Sequence, residues 1–549
     1  MPPFSSSFSC SLFGIVFQMA SACLGFTLFL LALHSQVAFS SPPQRAAKCQ
    51  HDEGTALYDF FDSVNVDPSL PRNRSVDCCA LPEVQCDNVT GHLIGLKLPS
   101  SSAPGTISST SSIFKLRFLQ SLDLSLTSFQ HSTIPEEIGL LQDLTVLDLT
   151  YTNISGNIPI SLCSLKKLQT LKIAESELTG RLPACLFDLP DIQYVDLRLN
   201  LLEGSINGGS KLLSKLSYLD LSYNLFDGLV PAWLFAVPSL TTIYLNNNNL
   251  TGISASTASM ALSNLQTLDL SFNQLQGKVP VWLFSSSSLT SISLGWNYLT
   301  GPMEAFSRPI PTYLQSIYMN NNKIHGSLPS SFYQLVNLTV LDLGDNQLSG
   351  VIKWSLFKEM VGLSFLKLSS NKDLILTNDN ESESILSNLN DLKVALCNLT
   401  EFPLVGIDSL SSLNVSYNRI SGRIFPRGSG GWKKLVLFDA SHNLITGFDE
   451  YPGTSIFQFD LSFNLLQGSL LPPPPSMGIL LLLNNQLTGL INSDFCNRTN
   501  LQILDLSFNN LTGVLPPCVM GHSSVTEMLN LQSNRFHGAI PDISGTNFS

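Results

Sequence analysis

The chain has 549 residues, of which only 13% are charged, and a formal net charge of −12. An acidic chain without a basic stripe excludes nucleic acid as an expected partner. An ordinary globular chain of this length would split into several domains, yet its composition shows no break, so one elongated domain with terminal pieces is expected.

In chain order, the first element is a targeting segment, 1–40. The apolar run Leu24–Leu33 is too short to span a bilayer comfortably. It ends at Ala38-Phe-Ser40, with small residues at the positions a signal peptidase reads, so a signal peptide cleaved after Ser40 is expected. No Lys or Arg precedes the run, which leaves an uncleaved anchor as the alternative. Beyond it, no stretch is apolar enough to cross a membrane; Leu480–Leu483 sits inside a repeat.

Residues 41–92 read as an N-terminal cysteine cap. Between His51 and Val64, the residues Ala56, Leu57, Phe60, Phe61 and Val64 fall on one helical stripe. The helix is expected to form a lid over the following core, pinned by Cys49–Cys78 and Cys79–Cys86 in an oxidising compartment. A zinc site is not expected, because the adjacent Cys78 and Cys79 lack the spacing of tetrahedral ligands.

From 93 to 541 one phrase, close to LxxLxLxxNxLxGxIP, recurs nineteen times at intervals of 21 to 26 residues. The segment from Leu216 through Leu219, Leu221, Asn224, Phe226 and Gly228 to Pro231 is a typical copy. This is the leucine-rich-repeat signature. It predicts an α/β-type solenoid, a curved right-handed superhelix. One continuous parallel sheet forms the concave face, and irregular or 3-10 segments form the outer arms. No unit can bury its apolar face alone, so the units stack into one core. The inward Asn (Asn200, Asn224, Asn248, Asn273, Asn297, Asn322 and Asn346, and again from Asn418 to Asn534) both donates and accepts, and is expected to satisfy backbone groups of its own and the neighbouring coil. Early units carry Thr127, Thr152 and Ser176 instead, which can still hydrogen-bond. Cys163 with Cys185, and Cys496 with Cys518, are each 22 residues apart, which places them on neighbouring coils within disulfide reach. Buried thiols acting as small hydrophobes are the alternative. Cys397 is left over, at an asparagine position. Residues 542–549 read as an uncapped tail.

Sequons open at Asn73, Asn88, Asn153, Asn249, Asn337, Asn380, Asn398, Asn414, Asn497 and Asn510. Four of them (Asn153, Asn249, Asn398, Asn510) fall one residue past the ladder position and are expected to line one edge of the sheet with sugars. The outward strand positions usually read Asp then Ser. Departures gather in the first half, at Lys172, Glu175, Arg198, Tyr244, Asn246, Asn247, Trp296, Tyr318 and Asn320, and these are the candidate ligand-binding residues. Tyr and Trp supply contact area with a polar handle. Against this, the residue before the ladder Asn is often aromatic (Tyr223, Phe272, Phe463, Phe508), which points to packing. The eight His are scattered, without HExxH, a nucleophile elbow or a phosphate-binding glycine loop, so neither an enzyme nor a cofactor is expected.

The GxIP form, the cap around Asp77-Cys-Cys79 and Cys86, and stretches such as Cys397–Pro403 and Leu501–Gly513 resemble the extracellular plant receptor-like proteins of immunity and development. The usual Trp beside the double cysteine is missing, since Val76 precedes Asp77 and Leu81 follows Ala80. The resemblance implies recognition of a peptide or protein ligand at the outer face of the cell, with signalling through a co-receptor kinase. It also implies that this chain is the front part of a longer protein, and a membrane anchor would lie in that continuation. Leu147–Gly156 and Leu171–Gly180 also look like plant polygalacturonase-inhibiting proteins, which makes a secreted inhibitor of microbial cell-wall hydrolases the alternative.

Overall fold

A computed structural model of the chain describes residues 47–540 except 65–73, 101–104, 209–214, 255–263, 307–309, 380–385, 406–407, 425–431, 498–499 and 517–526. The expected signal segment, Asn73, Asn380, Cys518 and the tail lie outside the described residues, as do the side chains of Cys496 and Asn497. The expected Cys496–Cys518 link therefore falls outside them too.

The cap forms as its apolar spacing demands. Helix α1 (His51–Ser63) buries Ala56, Leu57, Phe60 and Phe61, with Val64 buried just after it. Disulfides Cys49–Cys78 and Cys79–Cys86 hold the segment around it. A charged group completes the attachment. The buried Glu53 carboxylate accepts the Leu93 N–H at 2.7 Å and meets His92 Nδ1 at 2.9 Å. Strand β1 (Val84–Cys86) runs antiparallel to β2 (Leu93–Lys97), the first strand of the solenoid.

Among the described residues the concave sheet contains twenty strands, of which β1 alone is antiparallel, so nineteen parallel strands remain, matching the nineteen copies of the phrase. Each is a short strand in which the central apolar residue points in and its neighbours point out; Leu219, Ile243 and Leu268 are buried centres in direct register. After the ladder residue the chain forms a second strand that carries a Gly with positive φ, as at Gly228 (75°) in Leu225–Val230 and Gly301 (82°) in Tyr298–Pro302. Proline then opens a 3-10 turn on the outer side, as in Ile160–Ser164, Ala184–Asp188 and Ala232–Ala236. Cys163 and Cys185 lie in the first two of these turns and are bonded across neighbouring coils, with Cα atoms 5.9 Å apart.

The asparagines work as a chain of clamps. The Asn224 amide donates to Leu197 O (2.9 Å) in the preceding coil and to Leu221 O (3.2 Å) and Ser222 O (3.1 Å) in its own. Its Oδ1 accepts the Leu202 N–H at 3.1 Å. One side chain thus satisfies buried donors and acceptors on two coils, which is what an interior without water requires. Where the ladder changes, so does the bonding. Cys397 is fully buried and donates its thiol to Leu368 O at 3.1 Å, but it offers no amide acceptor to the coil before it. The Leu374 N–H turns to Asn371 O in its own coil instead. Among the early substitutes, Thr152 donates to Leu149 O at 2.6 Å. The Thr127 hydroxyl departs from expectation: it is buried with no partner among the described residues.

The residue just before each ladder position is left-handed whatever its type: Tyr223 (φ 54°), Phe272 (53°), Trp296 (55°) and His442 (53°) are examples. The turn compensates this strain by continuing the inter-coil bonding, as when Tyr223 N donates to Asn246 O and Asn224 N to Asn247 O.

Candidate functional site

The parallel register turns repeat positions into columns on the concave face. At the third strand position, Lys172, Asp196, Asp220, Tyr244 and Asp269 follow one another on five adjacent strands. At the first position, Tyr194 and Tyr218 are neighbours. Their rings stack at 4.3 Å, nearly parallel at 2°, and Tyr218 meets Tyr244 edge-on at 6.0 Å. Lys172 Nζ sits 5.5 Å from the Tyr194 ring centre, so a cation closes one end of the aromatic row.

Arg198 is wedged among three carboxylates, at 2.9 Å from Asp196, 3.8 Å from Glu175 and 3.9 Å from Asp220. Lys172 lies 3.6 Å from Asp148. The two cations expected to meet a ligand are therefore already engaged by acids of the sheet. The neighbouring Glu175 carboxylate raises the pKa of the Tyr151 phenol. Burial raises Tyr194, Tyr218 and Tyr244 above the usual phenol range, so all three stay protonated donors at neutral pH.

Lys172, Glu175, Arg198 and Tyr244 thus form one cluster, joined by Tyr194 and Tyr218, which the sequence reading passed over. The signal was available: both tyrosines occupy the same offset in consecutive copies. Tyr318 lies three strands beyond Tyr244, about 14 Å at sheet spacing, with Asp269 and Ser293 between them in the column. Trp296 is not on a strand. It sits in the left-handed turn after Ser291–Ser293, 51% exposed and stacked on Phe272 at 5.4 Å. Asn246, Asn247 and Asn320 lie in the equivalent turns, where their carbonyls accept the Tyr223, Asn224 and Trp296 N–H groups. These residues flank the strand cluster rather than belong to it.

Burial raises several carboxyls of the third-position column, Asp269 and Asp342 among them, and two are raised furthest. Burial pushes Asp196 up to about 6 against the pull of Arg198, and burial pushes Asp460 to about 6 with Asp439 and Asp505 adding repulsion. In both, the folded state holds a proton that an unfolded carboxyl releases near 3.9. Their contribution to stability is therefore greatest below about pH 4 and falls as pH rises to about 6. Asp460→Asn, an uncharged isostere, should raise stability at pH 7 by on the order of 1–2 kcal/mol and flatten that part of the profile. Denaturant midpoints of both proteins at pH 4 and pH 7 check this; an unchanged or lower midpoint at pH 7 would show that the carboxylate is not strained.

Family models for the leucine rich repeat match residues 238–299 and 312–372, and a second one matches 143–165, 215–236 and 500–521. Among curated proteins, Receptor-like protein 54 of Arabidopsis thaliana is 36% identical over 197 residues, covering 34% of this chain and 23% of that protein. Receptor-like protein 7 of the same plant is 38% identical over 135 residues, covering 24% and 14%. The matched stretches thus span less than a quarter of either relative. Among solved structures, the plant peptide hormone receptor RGFR1 in complex with RGF2 matches with a TM-score of 0.70 and 30% identity, over 83% of this chain and 73% of that one. The PEPR1–AtPEP1 structure matches at 0.67 and 25% identity, over 90% and 80%. With the repeat register, the asparagine ladder and the cysteine cap, these likenesses show that the chain belongs to the leucine-rich-repeat proteins and, within them, to the plant receptor-like proteins.

Proposed function

We propose that the chain recognises a peptide or a protein loop on its concave face, outside the cell or at the outer face of the plasma membrane, and that any signal passes through a partner receptor kinase. The observation that carries this reading is the row Tyr194–Tyr218–Tyr244 on adjacent strands. Its ring edges and phenols, of which Tyr218 already donates to Asp220 at 3.3 Å, provide apolar area and polar handles together. Arg198 and its three acids preorganise the adjacent ground. The likeness to a structure described as a peptide hormone receptor in complex supports a peptide as ligand. The disulfides agree with an oxidising compartment.

A ligand lying across the strands from Tyr244 to Tyr318 covers about 14 Å of sheet. Peptides selected from a displayed library against the folded protein provide the probe. Tyr244→Ala with Tyr318→Ala should weaken their binding at least tenfold, with the unfolding midpoint shifted by less than about 1 kcal/mol because neither side chain lies in the inner core. Unchanged affinity in a folded double variant would remove this patch from the reading.

Sugars should limit access from the side. Asn88, Asn153 and Asn249 are exposed, whereas Asn398 and Asn510 are half-buried and the Asn398 amide is bonded to Lys372 O. Asn414 stands on a concave strand and donates to Asp439 at 3.0 Å. Glycopeptide analysis should find Asn153 and Asn249 occupied and Asn414 bare; the reverse pattern would place the sugars on the binding face itself.

A further inference from the structure

Far from the tyrosine row, the coil around the strand Ile479–Leu481 breaks the pattern of the concave face. Leu480 and Leu482 point inward and are fully buried, so the alternation places Ile479, Leu481 and Leu483 outward; at the Leu481 and Leu483 positions the neighbouring coils carry Asp460 and Asp505, and Ser462 and Ser507. In register, Ile479 continues into Ile503 and the half-exposed Met528, forming an apolar strip across three strands. A contiguous apolar patch on a solvated sheet face marks a docking site.

Its charge surroundings say what docks there. Leu481 lies in register between Asp460 on one side and Asp505 on the other, and Asp439 pairs with Asp460 one strand further. At the other end of the same column the carboxylates have cations: Lys97 at 2.8 Å from Asp123, Lys172 at 3.6 Å from Asp148, and Arg198 at 2.9 Å from Asp196. Among the described residues no ion pair reaches Asp439, Asp460 or Asp505. Asn530 and Ser507 bond Asp505, and Asn414 bonds Asp439. Asp460 accepts the Ser462 N–H at 2.8 Å, and its neighbours in the column, Asp439 and Asp505, are themselves acidic. On the flank, the ring of His442 is stacked between Tyr417 (4.0 Å) and Phe463 (4.2 Å), which extends the aromatic and apolar ground beside the acids.

We propose that this stretch of the concave face is a second docking surface, built for a basic segment of a protein partner whose apolar side chain covers Leu481 while Lys or Arg groups on either side meet Asp460 and Asp505. The two carboxylates are two strand steps apart, roughly 10 Å, which an extended chain crosses in about three residues. The surface does not depend on the tyrosine cluster, and either one can fail alone.

The test uses a fluorescent peptide made of repeated Lys-Leu-Gly, with Glu-Leu-Gly and Lys-Ser-Gly repeats as controls. Asp460→Asn and Leu481→Ser are compared with the parent and with Tyr244→Ala. Both substitutions install residues the same column already holds, Asn414 and Ser293, so the fold accommodates them. The Lys-Leu-Gly peptide should bind the parent and Tyr244→Ala alike, lose at least tenfold in affinity for either Asp460→Asn or Leu481→Ser, and weaken as salt rises. Absence of binding, equal binding of either control peptide, or unchanged binding to either variant overturns the proposal. The last result would assign the interaction to the overall negative charge of the chain.

Discussion

Replacing Asn297 with Ala should cost about 3–5 kcal/mol, the largest loss expected from any single uncharged substitution outside the apolar core. Its amide donates to Leu270 O (3.0 Å), Leu294 O (3.1 Å) and Gly295 O (3.1 Å), and its Oδ1 accepts the Leu275 N–H at 2.9 Å. Alanine removes the partner and leaves the backbone groups buried, and each orphaned group costs about 1–3 kcal/mol. The damage crosses coils, because Leu270 and Leu275 belong to the preceding one. In a quasi-one-dimensional fold each unit is held mainly by its neighbours, so loss of one clamp should split unfolding into two segments. Urea unfolding followed by hydrogen exchange should show a lower midpoint, with new fast exchange at Leu275 and in the adjacent coils. A loss below about 1 kcal/mol would mean that water or relaxation of the turn replaces the amide. The contrast within the chain is Cys397, where the thiol supplies a donor but no amide acceptor and the Leu374 N–H finds Asn371 O instead.

Removing the Cys49–Cys78 disulfide by a double serine substitution should destabilise the cap by roughly 3–4 kcal/mol. Its 29-residue separation sets the loop entropy released in the unfolded chain. The consequence is local before it is global. Helix α1 covers the first coil with Leu57, Phe60 and Phe61, and once it detaches, the apolar edge of β2 is exposed to solvent and to other chains. Glu53 would lose its place against the Leu93 N–H at the same time. The double variant should show early exchange from α1 through β2 and concentration-dependent association, while the Cys163–Cys185 region keeps its protection. Unchanged exchange in α1 would show that apolar packing alone holds the cap. Peptide mapping of the parent without reduction should first recover Cys49–Cys78, Cys79–Cys86 and Cys163–Cys185.

The fold was legible because every copy of the phrase repeats the same local physics. Leu at the centre of the strand, Asn at the ladder and Pro before the outer turn each state their own role, and nineteen repetitions average out the exceptions. The cap was legible from its apolar stripe, and the Cys163–Cys185 link from matching offsets. The site was legible only in part. Tyr244 and Tyr318 stand on the strands as their offsets imply, whereas Trp296 lies in a turn whose left-handed backbone no single copy announces. That Lys172 and Arg198 already have carboxylate partners depends on which acids the register brings beside them, and side-chain direction decides that across coils rather than along the chain. Leu480–Leu483 reads only as an apolar stretch inside a repeat, and alternation turns Leu481 and Leu483 outward.

Hydrogen exchange with and without a library-selected peptide tests the central claim, that the concave face of this solenoid is its recognition surface. The account predicts protection on the concave strands from Thr170–Lys172 through Ser316–Tyr318 and in the turns that carry Arg198 and Trp296. Protection confined to the outer 3-10 turns, such as Ala184–Asp188 and Ala232–Ala236, with the concave strands unchanged, would contradict it.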